Sequence, residues 1–142
     1  MRENLILLVE DDPDHEALAI RALRKSNVVN EIRMARDGAE AIEFLQAVSA
    51  GTEKMPQLVL LDLKLPKVEG LDVLRAIRAN DKTAILPVVV LTSSDEERDI
   101  VASYRLGVNS YIRKPVNFAD FTEATKQLGM YWLLLNQCPP TQ

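Results

Sequence analysis

The sequence predicts an α/β domain built on a doubly wound, five-stranded parallel sheet, and three observations lead there. Short apolar runs alternate with helix-period stretches along the whole of a 142-residue chain. Three of the runs, Leu5–Val9, Leu58–Leu61 and Val88–Leu91, are apolar without alternation. That is the pattern of strands covered on both faces. Turn and cap signals fall between these stretches and not inside them. Strand and helix in strict alternation, joined by right-handed crossovers, give a parallel sheet with helices on both sides.

The elements follow in order. Leu5–Val9 leads to a helix over Asp14–Ser26, with Asp12 placed to cap it and Pro13 at the first helical position. Glu31–Ala35 is a weaker strand, followed by Ala39–Val48 with its stripe Ala41, Ile42, Leu45 and Val48. Leu58–Leu61 precedes Leu71–Ala79, whose stripe is Val73, Leu74 and Ile77. Val88–Leu91 precedes Asp95–Leu106, where Ile100, Val101 and Tyr104 fall together and Ser94 with Glu97 spells a capping box. Val108–Ile112 is the fifth strand, and a last helix runs from Phe118 to about Leu135. Gly51 and Gly107 stand where left-handed helix caps belong.

Composition narrows the function. The chain is 47% apolar and 27% charged, and it suits one domain with a real core but no separate output domain. A net charge of -4 gives no footprint for non-specific nucleic-acid binding. No apolar run is long enough to insert in a membrane, and the N-terminus lacks the features of a signal peptide. One cysteine, Cys138, cannot form an internal disulfide, so a cytoplasmic setting is expected.

The chemistry gathers at strand ends. Glu10-Asp11-Asp12 follows the first strand, Asp62 the third, Thr92-Ser93 the fourth and Arg113-Lys114-Pro115 the fifth. Ligands of an open parallel sheet bind beyond the carboxyl ends of the strands, where strand order reverses. Taken singly, each residue has an ordinary alternative role: Asp62 as a turn residue, Thr92 as a buried β-branched side chain, Lys114 as a solvated turn lysine. Asp12 is assigned the helix cap and His15 a place on the helix surface. Together, Glu10, Asp11 and Asp62 form a carboxylate cluster that calls for a small hard cation, and Mg2+ fits an oxygen-lined site shared with a phosphate. A carboxylate beside such a cation can attack phosphorus, while Lys114 and Thr92 neutralise charge on the transferring group.

The motifs that carry this chemistry are Leu8-Val9-Glu10-Asp11-Asp12, Leu60-Leu61-Asp62-Leu63-Lys64-Leu65-Pro66 with Gly70, Leu91-Thr92-Ser93-Ser94, and Tyr111-Ile112-Arg113-Lys114-Pro115. With all four in register, the chain resembles the receiver domain of two-component response regulators from about Asn4 to Leu135. The resemblance implies strand order 2-1-3-4-5 with five flanking helices. It makes residues 1–135 the receiver and 136–142 a tail. It also implies that Asp62 accepts a phosphoryl group from a sensor histidine kinase or phosphotransfer protein. Asp11, Asp62 and the Lys64 backbone carbonyl would hold Mg2+, with Glu10 acting through water. Lys114 would bridge to the phosphoryl oxygens, with a cis peptide to Pro115. Thr92 would bond the phosphate, and Tyr111 would carry the change to the face formed by the fourth helix, fifth strand and fifth helix. Lys64 and Ser94 would border the path of a hydrolysing water. Within the family the chain is most like small regulators that serve phytochrome-type kinases.

The last helix is apolar nearly all round, and Met130, Leu133 and Leu134 lie off the stripe needed to cover a sheet. A homodimer through that surface is the expectation. Without a DNA-binding extension, output is expected to pass through protein partners or onward phosphotransfer. An enzyme that forms an aspartyl phosphate, a phosphatase or phosphotransferase, is the alternative. Haloacid-dehalogenase-type enzymes usually place an acid two residues beyond the nucleophile, where this chain has Lys64. A flavodoxin-like cofactor binder would want a glycine- and hydroxyl-rich loop where this chain has acids.

Overall fold

The computed structural model describes residues 5–25, 31–93, 96–113 and 123. Strands β1 (Leu5–Val9), β2 (Glu31–Ala35), β3 (Leu58–Leu61), β4 (Val88–Thr92) and β5 (Ser110–Arg113) alternate with helices α1 (Pro13–Lys25), α2 (Gly38–Ser49), α3 (Gly70–Ala79) and α4 (Glu97–Arg105). The sheet order is β2-β1-β3-β4-β5, with each neighbouring pair parallel. The helix expected from Phe118 falls almost wholly outside the described residues. So do Ser94, Lys114, Pro115, Met130, Leu133 and Leu134.

Apolar strands without alternation build two cores, one on each face. Leu5, Leu7, Val9, Val59, Leu61, Val88 and Val90 pack with Phe44, Leu45, Val73, Leu74 and Ile77 from α2 and α3. The intervening residues Ile6, Leu8, Leu58, Leu60, Val89 and Leu91 pack with Ala19 and Leu23 of α1. Each such Leu or Val contributes about 1.5–3 kcal/mol relative to an exposed position. The weaker β2, half-exposed along its length, takes the edge that the family resemblance implied.

Helix ends obey local chemistry. Asp12 Oδ1 accepts from the amides of Asp14 and His15 and caps α1. Asp37 Oδ1 accepts from Glu40 N–H at 2.8 Å and caps α2. Gly51 and Gly107 sit at φ 84° and 74°. After each, two crossed backbone bonds close the helix: Gly51 to Val48 with Thr52 to Ala47, and Gly107 to Tyr104 with Val108 to Ser103.

Three expectations are corrected. β5 begins at Ser110 and not at Val108, because the Val108 amide is committed to closing α4. α4 opens at Glu97 and not at residue 95, with Glu96 at the cap position and no side-chain cap bond from it; the Ser94 half of the expected capping box lies outside the described residues. On α4, Val101 and Tyr104 are 43% and 53% exposed, whereas Asp99 and Ser103 are buried. The inward face of this helix is polar, which a reading of apolar periodicity could not find.

Arg78 was not anticipated either. From the end of α3 its guanidinium donates to the carbonyls of Leu106, Ala84, Leu86 and Gly107 at 2.7–2.9 Å. It ties the loops that lead into β4 and β5, at the amino end of the sheet. Burial lowers its pKa from the ordinary value, though a guanidinium remains charged.

Candidate functional site

The sheet ladder runs one residue past two strands and so positions two acids. Val9 pairs with Leu61 in register, and the next residues are Glu10 and Asp62. Glu10 N–H donates to Ala35 O and Asp62 N–H to Val9 O, both at 3.0 Å. Both side chains are buried. Asp11, one residue on, is exposed. Glu10, Asp11 and Asp62 each offer a carboxylate oxygen within 4.8 Å of the others. Strand termination places the cluster, and α1 starts only after it because Asp12 turns away to cap the helix.

The Asp62 carboxylate is held on one oxygen by two donors. Thr92 O–H donates to Oδ1 at 2.7 Å and Lys64 N–H donates to the same atom at 3.1 Å. Thr92 is fully buried at the end of β4. Tyr111, half-buried against the core, pairs with Val90 two residues before Thr92, and Thr92 itself pairs with Arg113. Lys114 follows Arg113 but lies outside the described residues.

The loop from β3 to α3 folds back under Asp62. Gly70 N–H donates to Leu63 O at 3.1 Å, and a Cβ at Gly70 would press on the Asp62 carbonyl oxygen and on Leu63 Cα. Only glycine permits that approach. Val68 N–H donates to Pro66 O across Lys67, which stands at φ 66°. A positive φ at the centre of so tight a turn is strained, and the Lys67 ammonium, 3.3 Å from Asp37, anchors it to the start of α2.

Two side chains border the site unpredicted. His15, assigned to the surface, is only partly exposed, with Nδ1 3.9 Å from Glu10 and 3.7 Å from Asp12. Asp99, from the inner face of α4, lies 3.8 Å from Lys64 Nζ. The i, i+3 spacing of Asp12 and His15 could have been read from the sequence, but nothing local links residue 64 to residue 99.

Three crowded carboxylates fit a hard divalent cation, since oxygen donors are what such an ion takes and mutual repulsion favours its arrival. A parallel sheet in this order, with acids and a hydroxyl converging at its carboxyl edge, defines a phosphoacceptor signalling domain. Residues 6–126 match the response regulator receiver domain, and the chain belongs to that family. Response regulator Rcp1 of Synechocystis sp. is 40% identical over 130 residues, covering 91% of this chain and 88% of the relative. The Mn2+-bound crystal structure of Rcp1 matches with a TM-score of 0.90 at 38% identity, over 96% of this chain and 99% of that one. The probable methanogenesis regulatory protein FilR2 of Methanothrix harundinacea is 39% identical over 135 residues, covering 95% of this chain and 87% of the relative. The structure of the phosphorylated cyanobacterial phytochrome response regulator RcpA gives a TM-score of 0.92 at 37% identity, over 98% and 100% of the two chains. The likeness to phytochrome-associated regulators expected from the sequence is therefore present. Partners of this family are histidine kinases or phosphotransfer proteins. Among the described residues, no helix is long and apolar enough to cross a membrane.

Proposed function

We propose that the chain is a single-domain response regulator, with residues 1–135 as the receiver, that accepts a phosphoryl group on Asp62 from a sensor histidine kinase of the phytochrome type. The observation that carries this reading is the Asp62 carboxylate: it ends β3, shares its Oδ1 with the Thr92 hydroxyl and the Lys64 amide, and stands beside Glu10 and Asp11. Two hydrogen bonds on one oxygen fix the plane of the carboxylate, which turns a mobile nucleophile into an aimed one.

The transfer balances simply. A carboxylate oxygen of Asp62 forms a bond to phosphorus, the phosphorus–nitrogen bond of a phosphohistidine breaks, and the electron pair returns to the imidazole. Asp11, Asp62 and the Lys64 carbonyl would hold Mg2+, with Glu10 reaching it through water, and the ion would neutralise charge on the phosphoryl oxygens. Lys114, next to a cis Pro115, would neutralise the opposite side. Thr92 would leave Oδ1 for the new phosphate, and Tyr111 would move inward behind it. Signal would then pass through the face of α4, β5 and the last helix. That helix, through Met130, Leu133 and Leu134, would also pair two copies. The protein would act in the cytoplasm and hydrolyse its own acyl phosphate.

The test is incubation with acetyl phosphate and Mg2+, read by intact mass. Wild type is expected to gain one phosphoryl group and Asp62→Ala none. Equal gain by both proteins removes the assignment.

A further inference from the structure

Lys64 stands at a fork. Its backbone N–H donates to Asp62 Oδ1, so its Cα lies next to the acceptor carboxylate. Its ammonium points elsewhere: Nζ is 3.8 Å from Asp99 and 3.9 Å from Glu96, both at the start of α4. Asp99 is the firmer anchor, because it is buried and faces inward, whereas Glu96 is half-exposed and also accepts from Arg98 at 2.7 Å. A groove of about 620 Å³, lined by Leu63, Leu65, Glu69 and Asp99 among others, gives the Lys64 stem room to move. A lysine stem is flexible and its ammonium is a compact point charge. It can sit over Asp99 or over a charged group on Asp62, but not over both.

We infer that Asp99 is a positioning residue for the acyl phosphate: by holding the Lys64 ammonium on α4, it keeps that side chain off the phosphoryl group and leaves the approach of water open. The inference rests on the reading of Asp62 as the phosphoacceptor. In hydrolysis a water oxygen bonds to phosphorus, the bond from phosphorus to the Asp62 oxygen breaks, and the carboxylate leaves with the electron pair. The water proton passes to solvent, and inorganic phosphate departs. An ammonium laid across the phosphoryl oxygens from residue 64 occupies the side from which that water arrives. Asp99 and the phosphoryl group therefore compete for one cation. By linkage, whatever draws Lys64 toward Asp62 loosens its hold on α4 by the same free energy.

The experiment follows decay of the phosphorylated protein after removal of acetyl phosphate, by intact mass. Asp99→Asn is expected to slow decay roughly three- to fivefold, the scale set by one partly exposed ion pair. Glu96→Gln, at a more exposed position, gives a smaller slowing of the same sign, and serves if Asp99→Asn does not fold. In a Lys64→Ala background neither substitution alters decay, because no ammonium remains to be released. Unchanged decay in both single variants overturns the inference, as does equal slowing with and without Lys64. In either case phosphoryl uptake at Asp62 still stands. A wild-type protein that takes up no phosphoryl group overturns the Asp62 reading, and the inference with it.

Discussion

At the amino end of the sheet a half-buried cation is answered by backbone: Arg78 donates to four carbonyls from the loops entering β4 and β5. At the carboxyl end three carboxylates are drawn together, two of them buried, where they repel one another. The first arrangement satisfies its charge internally and needs nothing from outside. The second holds charge ready for a ligand. One sheet thus separates stability from chemistry by strand polarity, because α/β crossovers deliver helix ends and loops of opposite kind to its two edges.

Breaking the chemical end should give the larger effect on function. Asp62→Asn is expected to abolish phosphoryl uptake from acetyl phosphate while leaving the far-ultraviolet circular dichroism unchanged. If uptake continues, the acceptor lies elsewhere. Breaking the structural end should do the reverse. Arg78→Ala removes four hydrogen bonds to part-buried and exposed carbonyls and is expected to cost about 2 kcal/mol in urea unfolding, with Arg78→Lys costing roughly half as much. The folded fraction should still accept phosphoryl groups at the wild-type rate.

Cation addition sharpens the contrast. At a hundredfold excess over its dissociation constant, Mg2+ is expected to stabilise the wild type by about 2.7 kcal/mol in the same urea titration. Asp11→Asn should lose most of that gain and Arg78→Lys none of it. A pH effect of smaller size belongs to neither end. Asp37, the cap of α2, is held below the ordinary carboxyl value of 3.8, chiefly by the Glu40 amide and then by Lys67. Its ionised form is thus favoured by folding. That contribution is complete above the unfolded value and is lost as pH falls through the lower, folded one. Asp37→Asn should flatten the acid limb of a thermal-melt profile, and an unaltered limb would dismiss the cap.

The contrast also explains what the sequence could and could not disclose. β1, β3 and β4 were legible because a short apolar run without alternation, bounded by turn residues, suits a strand covered on both faces and little else. The strand order followed from the family resemblance. The cluster was legible because Glu10 and Asp62 each follow directly on a strand, so that register alone assembles them, with Asp11 one residue on. Arg78 gave no sign, since its acceptors are carbonyls, which every residue carries. Asp99 and Ser103 hid for a related reason. A small hydroxyl and an acid on the inner face of α4 look like surface residues until the neighbouring loop brings Lys64 against one of them. Val108 misled in the opposite sense: it is apolar and buried, yet its amide closes a helix and joins no strand.

At the last rung of the ladder the amides of Glu10 and Asp62 are bonded to Ala35 and Val9 across the sheet. They should therefore exchange with deuterium among the slowest in the protein, at the pace of global unfolding. The acceptor is thus mounted at the hydrogen-bonded end of a buried strand. Any movement that reports its state must arise in the less firmly anchored elements around it, so the anvil stays still while the message travels.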